Sequence, residues 1–193
     1  METWDERYRR IEKVRMTGTA ALNGTLDNTA VSDNGDGTVD IAITGHGLTE
    51  GSTIIISGTT NYDGVHTLLA VGGADAITIT ATYVAETPAG SETYAVVFKP
   101  SYNAKGWKLV ETRFHLSGVS AAESITYTLD ADAGAAYDAL LDSNALSGLT
   151  DDVIVWSDGD KRRYFDDGDA IVFGYTNTNA ETWGLEIIYR VHA

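Results

Sequence analysis

Cysteine is absent from the 193 residues, and proline occurs only twice. Without thiols the chain has neither disulfides nor thiolate zinc sites, so stability must come from packing, metal or oligomerisation. Basic side chains are scarce as well: 13 lysines and arginines stand against 28 aspartates and glutamates, for a net charge of −15. That balance repels a phosphate backbone, so nucleic acid is not an expected partner, and it favours solubility. Long apolar runs are missing, so neither a transmembrane helix nor a membrane partner is expected. The opening Met1-Glu2-Thr3-Trp4-Asp5-Glu6 is acidic and lacks an apolar stretch, so no secretory signal is expected. Nucleophile elbows, H-E-x-x-H, phosphate-binding loops and G-x-G-x-x-G after a strand are all missing, so an enzyme is not expected.

What is present suits an all-β fold. Hydrophobic residues make up 43% of the chain, enough for a packed core, and 20 glycines supply many corners. Residues 17–30 are small and polar and read as a connector or short edge strands. Strands are expected over Thr38–Thr44, Thr53–Ser57, Val65–Val71, Ala76–Thr82 and Thr93–Lys99. They are separated by Gly-His-Gly-Leu at 45–48, Asn-Tyr-Asp-Gly at 61–64 and a loop at 86–91. Short strands punctuated in this way suggest a small closed sheet or barrel. Pro100 cannot continue a central strand, which places a domain boundary near Lys99-Pro100.

Within residues 37–98, His46-Gly47-Leu48, Gly51, Ile54, Ile56, Ser57-Gly58-Thr59 and Tyr62-Asp63-Gly64 form one pattern. It resembles a module that recurs in structural proteins of tailed bacteriophages, and it is similar to a small β-domain of ubiquitin-activating enzymes. Ser52 replaces the usual Asp of that pattern, and His66 stands where Tyr or Thr is common. The shared residues are turn formers and core positions, so the resemblance implies a fold rather than a reactive site.

The second half reads differently. Trp107–Leu116 is expected as a long strand with Val110, Phe114 and Leu116 inward, and Ser124–Leu129 alternates. Ala133–Leu146, with Tyr137, Leu140 and Leu141 at helical spacing, is compatible with a short helix. Asp152–Ser157 reads as a buried strand; Arg163–Phe165 and Ala170–Tyr175 flank the corner Asp166-Asp167-Gly168-Asp169. The last strand, Thr182–His192, puts Trp183, Leu185, Ile187, Tyr189 and Val191 on one face. About six strands at this spacing argue for a β-sandwich, which we read as jelly-roll-like. The expected organisation is an N-terminal arm (1–16), a small Gly-rich β-barrel-like module (17–100) and a jelly-roll-like β-sandwich (101–193).

The arm carries Arg7, Arg9, Arg10, Lys13 and Arg15, five of the 13 basic residues. Thr3 with Glu6 makes a capping box, and Trp4, Tyr8 and Ile11 fall at helical spacing. A strand fits too, since Tyr8, Arg10 and Glu12 alternate with Arg9, Ile11 and Lys13. The charges form either a solvated face or an arm that docks on an acidic neighbouring subunit. Trp107, between Gly106 and Lys108, is the aromatic expected at an interface or sugar platform; Trp156 and Trp183 are expected in the core.

Metal candidates are few. Ser32–Ile43 superficially resembles a calcium loop, but Ser32 and Ile43 occupy two ligand positions, so a hairpin turn is expected instead. His46 and His66 with Asp63 could approach one another. Asp158, Asp160, Asp166, Asp167 and Asp169 could hold a structural calcium ion between loops, although aspartate is also a turn former. No other cofactor is expected. Together with the resemblance, this implies a virion protein. The expected role is capsid decoration (cement), as a dimeric or trimeric homo-oligomer on the major capsid protein or another virion subunit. Alternatives are a tail, neck or fibre component that binds a receptor, and a carbohydrate-binding module.

Overall fold

The computed structural model describes residues 10–72, 75–100, 106–157 and 163–191. Among them the structure is all-β, with no α-helix. In chain order the strands are β1 (Arg10–Gly18), β2 (Asn23–Thr25), β3 (Ser32–Asp33), β4 (Thr38–Ala42), β5 (Thr53–Ser57), β6 (Gly64–Thr67), β7 (Ala70–Val71) and β8 (Ala76–Thr80). They continue as β9 (Thr93–Phe98), β10 (Trp107–Leu116), β11 (Ser124–Asp130), β12 (Ala139–Ala145), β13 (Asp151–Val155), β14 (Tyr164–Phe165), β15 (Ala170–Gly174) and β16 (Trp183–Val191). Among the described residues, no helix is long and apolar enough to cross a membrane.

The chain divides into two units. One holds residues up to Thr17 together with Phe98–Val172 and the segment from Glu181; the other holds Gly18–Val97 and Phe173–Ala180. One change of unit falls at Val97/Phe98, and residues 173–180 join the Gly-rich unit. Backbone and amide bonds hold them there. Leu22 N donates to Tyr175 O (2.8 Å), Tyr175 N to Asn23 Oδ1 (2.9 Å), and Asn177 Nδ2 to Thr19 O (2.8 Å).

In the Gly-rich unit one sheet runs β3-β4-β8-β7, and β9, β5 and β6 lie side by side with β2 on β9. Its hydrogen-bond ladders thus form separate sheets rather than a closed ring. Alternation buries Val39 and Ile41 of β4, Ile54 and Ile56 of β5, and Ile77 and Ile79 of β8. Val65–Val71, expected as one strand, is split at Leu68, which turns inward to the core while Gly51 N donates to its carbonyl (2.9 Å).

In the other unit a sheet runs β1-β16-β10-β13, with β14 also on β10. β16 buries Trp183, Leu185, Ile187, Tyr189 and Val191, as its alternation predicts. The antiparallel register of β10 on β16 slips between Leu109 and Glu111. This bulge re-aims the strand, so that Trp107 and Leu109 face inward before it and Thr112, Phe114 and Leu116 after it. Val110 is therefore only half-buried, contrary to the inward position expected for it.

Of the two forms expected for the arm, residues 10–18 take the strand, on β16; residues 3–9 lie outside the described residues. Two further expectations are corrected. Residues 139–145 form β12, antiparallel to β11, and only Ala135–Tyr137 makes one short 3-10 turn. There, cross-strand pairing overrides the Ala/Leu helix propensity. β13, expected to be buried, lies at the edge of its sheet. Only Trp156 just beyond it is buried.

Candidate functional site

The motif residues of the Gly-rich unit build corners. Asp63 Oδ1 accepts from Thr59 N and Thr59 Oγ1 (both 2.7 Å), while Tyr62 Oη donates to Val84 O (2.7 Å). Gly47 has φ +52°, and the Cβ of any other residue would come within 2.5 Å of Ala20 Cβ. His46 is buried between these glycines, with its Nδ1 accepting from Leu48 N (2.9 Å) and its Nε2 3.2 Å from Ala76 O. His66 Nε2 is spent on Tyr62 O (2.9 Å). His46, His66 and Asp63 thus each serve a different turn. Ser32–Ile43 is the expected hairpin: β3 pairs antiparallel with β4, and Asp36 Oδ1 accepts from Thr38 N (3.0 Å).

The aspartate corner is likewise a turn. Asp169 Oδ2 accepts from Asp166 N (2.9 Å), and Asp169 Oδ1 accepts from Asp132 N (3.1 Å). Among the described residues no three histidine, aspartate or glutamate side chains converge on a metal position. Asp166, Asp167 and Asp169 therefore do not form such a group by themselves; Asp158 and Asp160, the other two members of the expected calcium set, lie outside the described residues.

Trp107 is corrected from interface to core, since it is only 2% exposed. Its ring stacks on Phe165 (4.2 Å between centroids) and meets Phe98 and Tyr189 edge-on at 5.4 and 6.2 Å. The flanking glycine and lysine suggested exposure, but the partners that enclose Trp107 come from β9, β14 and β16, which local sequence does not reveal.

The surface that stands out is the outward face of the β1-β16-β10-β13 sheet. Register places Arg113 opposite Glu186 on one side and Val153 on the other, and Glu111 opposite Ile188 and Val155. Glu186 is the hub of the charges there. It meets Arg15 Nε at 2.6 Å, Arg113 Nη1 at 2.9 Å and Lys13 Nζ at 3.1 Å, while Arg113 also pairs with Glu111. Hydrogen bonds from Arg15 and Lys13 hold the Glu186 carboxyl below its ordinary range. His115 Nδ1 lies 2.7 Å from Asp151 Oδ1, and Asp151 is held low by Thr150 first and His115 second. Of the predicted arm cations, Lys13 and Arg15 are thus tied to Glu186 of their own chain. Arg7 and Arg9 lie outside the described residues, and Arg10 is placed on β1.

Beside this charge lattice lie apolar side chains that water reaches: Val153 is 57% exposed, Val155 is 69% exposed, and Ile11 is exposed as well. This patch is hidden in the sequence because an uninterrupted Val-Ile-Val-Trp run resembles a buried strand; only the period-two spacing of Asp151, Val153 and Val155 signals one outward face. No family model matches the chain, and no curated protein matches it either.

Proposed function

We propose that the chain is a structural protein of a tailed-bacteriophage virion. Its proposed role is decoration (cement): it adheres as a homo-oligomer to the major capsid protein or a neighbouring virion subunit. The observation that carries this reading is the exposed Val153–Val155 pair on an edge strand, set beside a lattice of ion pairs. One side of this sheet packs the core, and the other offers apolar area framed by oriented charge, the composition of an adhesion surface rather than of an inert wall. An edge strand also offers unpaired backbone groups to a neighbour. The phage-like module pattern at 46–64 supports the setting. A shell repeats its subunits, so a modest contact made at every copy becomes strong through avidity.

The test is co-sedimentation and electron microscopy of the protein with expanded capsids and with tail tubes. The reading expects stoichiometric binding to the shell, lost in Val153→Glu/Val155→Glu while folding is retained. Stoichiometric binding to tail tubes alone would move the protein to a tail position, and association with no virion component would refute the reading.

A further inference from the structure

Asn-Gly occurs at two places in the chain, Asn23-Gly24 and Asn34-Gly35. A glycine has no side chain to hinder attack of its own backbone nitrogen on the preceding side-chain amide, so this dipeptide closes readily into a five-membered ring. The fold treats the two copies differently. Asn23 and Gly24 lie in β2, where Asn23 is opposite Ala95 and Gly24 opposite Tyr94 of β9. Asn23 Oδ1 accepts from Tyr175 N (2.9 Å), and a Cβ on Gly24 would come within 2.9 Å of the Tyr94 ring. Ring closure there must break a strand pairing in a crowded place.

Asn34 and Gly35 are exposed at the tip of the β3–β4 hairpin. Gly35 has φ +74°, and a Cβ built on it would meet nothing within 4 Å. Its N–H donates to the Asp33 side chain (Oδ1, 2.9 Å) and not to a ladder carbonyl, so a side-chain rotation frees it. The Asn34 amide is held on the same tip, with Nδ2 donating to Thr38 Oγ1 (3.1 Å) and Asp40 Oδ1 (3.0 Å). Asp36-Gly37, the next such pair along the tip, is guarded. Asp36 Oδ1 accepts from Thr38 Oγ1 (2.6 Å) and Thr38 N (3.0 Å), and these bonds hold its carboxyl below the ordinary range. An ionised carboxylate offers no leaving group for the same closure.

We propose that Asn34 is a self-modification site, converted in water to isoaspartate and aspartate, and that this conversion loosens β3 from β4. The Gly35 nitrogen gives its proton to solvent hydroxide and attacks Cγ of Asn34. The new C–N bond forms as the Cγ–Nδ2 bond breaks, and Nδ2 takes a proton from water and leaves as ammonia. Water then opens the succinimide ring at either carbonyl. One opening gives aspartate; the other gives isoaspartate, with an extra CH2 in the main chain. Water is the sole co-reactant, and nothing is oxidised or reduced. Either product replaces an amide donor with a carboxylate. Asp40 then loses the bond from Nδ2 and faces a like charge, on a tip that already carries Asp33 and Asp36. Isoaspartate also lengthens the chain between Asp33, which pairs with Val39, and the turn closed by Asn34 N donating to Thr38 O (3.2 Å). β3 is a two-residue strand at the end of its sheet, so its pairing is the part that gives way.

The experiment ages the full chain in warm, mildly alkaline buffer, with a second sample in concentrated urea. Proteolytic peptides are then read by mass spectrometry, and isoaspartate is counted by enzymatic carboxyl methylation. In the folded sample, position 34 should be modified at least about tenfold faster than Asn23, because Asn23 reacts only when its strand opens locally. In urea the two positions should react at similar rates. Amide exchange of the aged folded protein should be faster across residues 32–40 and unchanged across β9. Asn34→Gln, which keeps an amide but closes the ring far more slowly, should abolish that change on ageing. No modification at position 34 in the folded sample, or equal folded-state rates at the two positions, would overturn the assignment of the site. Modification that leaves exchange in the hairpin as it was would overturn the loosening. The site lies in the Gly-rich unit. The proposal does not depend on the adhesion reading, and its readout needs no capsid.

Discussion

Trp107→Ala tests whether this tryptophan is a keystone or a contact point. The side chain is buried against three aromatic rings, of Phe165, Phe98 and Tyr189, and its Nε1 donates to Asp169 O (3.3 Å). Truncating a buried tryptophan costs about 3–5 kcal/mol. The upper part of that range applies here, because the ring contacts add to the area lost. With a urea slope of about 2 kcal/mol per molar, the midpoint should fall by about 2 M. The natural assay is tryptophan fluorescence: Trp107, Trp156 and Trp183 lie in one unit, so their signal follows that unit's unfolding. Trp107→Phe, which keeps an aromatic ring, should recover more than half of the loss. A Trp107→Ala variant that unfolds within about 0.3 M of the parent yet loses glycan binding on an array would refute the assignment to the core.

His46 should make the Gly-rich unit acid-sensitive. Burial lowers its pKa, and protonation removes the lone pair that accepts Leu48 N–H. A depressed histidine contributes stability that is present above the unfolded pKa of about 6.5 and lost as pH falls below it. Thermal melts from pH 7.5 to 5 should show that loss, and His46→Gln should flatten it; an equal slope in both proteins contradicts the reasoning. Gly47→Ala combines φ +52° with a Cβ 2.5 Å from Ala20 Cβ and 2.8 Å from Ala20 N. It should destabilise by about 2–4 kcal/mol, whereas Gly35→Ala, with open space around it, should cost only the backbone strain of its φ of +74°, about 1–2 kcal/mol; urea unfolding decides.

Legibility in the sequence followed the physics of each element. β5 and β10 occur at the bounds expected, and β16 within one residue of them, because strict alternation and flanking turn residues determine a strand locally. The Asp-Gly and Gly-His-Gly corners were legible for the same reason. Elements decided by distant partners were not. β12 has an Ala/Leu texture suited to a helix and becomes a strand because β11 offers it a ladder. β13 carries a buried-strand composition and lies at an edge because no described strand follows it in its sheet. The bulge after Leu109 shifts the inward set of β10 by one residue, which periodicity alone did not reveal.

The adhesion reading is tested most directly by imaging expanded capsids incubated with the parent protein and with Val153→Glu/Val155→Glu. The account predicts regular density at symmetry-related positions on the shell for the parent. For the variant it predicts bare shells, even though the variant melts at the parent's temperature. Equal occupancy by both proteins would contradict the assignment of this sheet face as the adhesive surface.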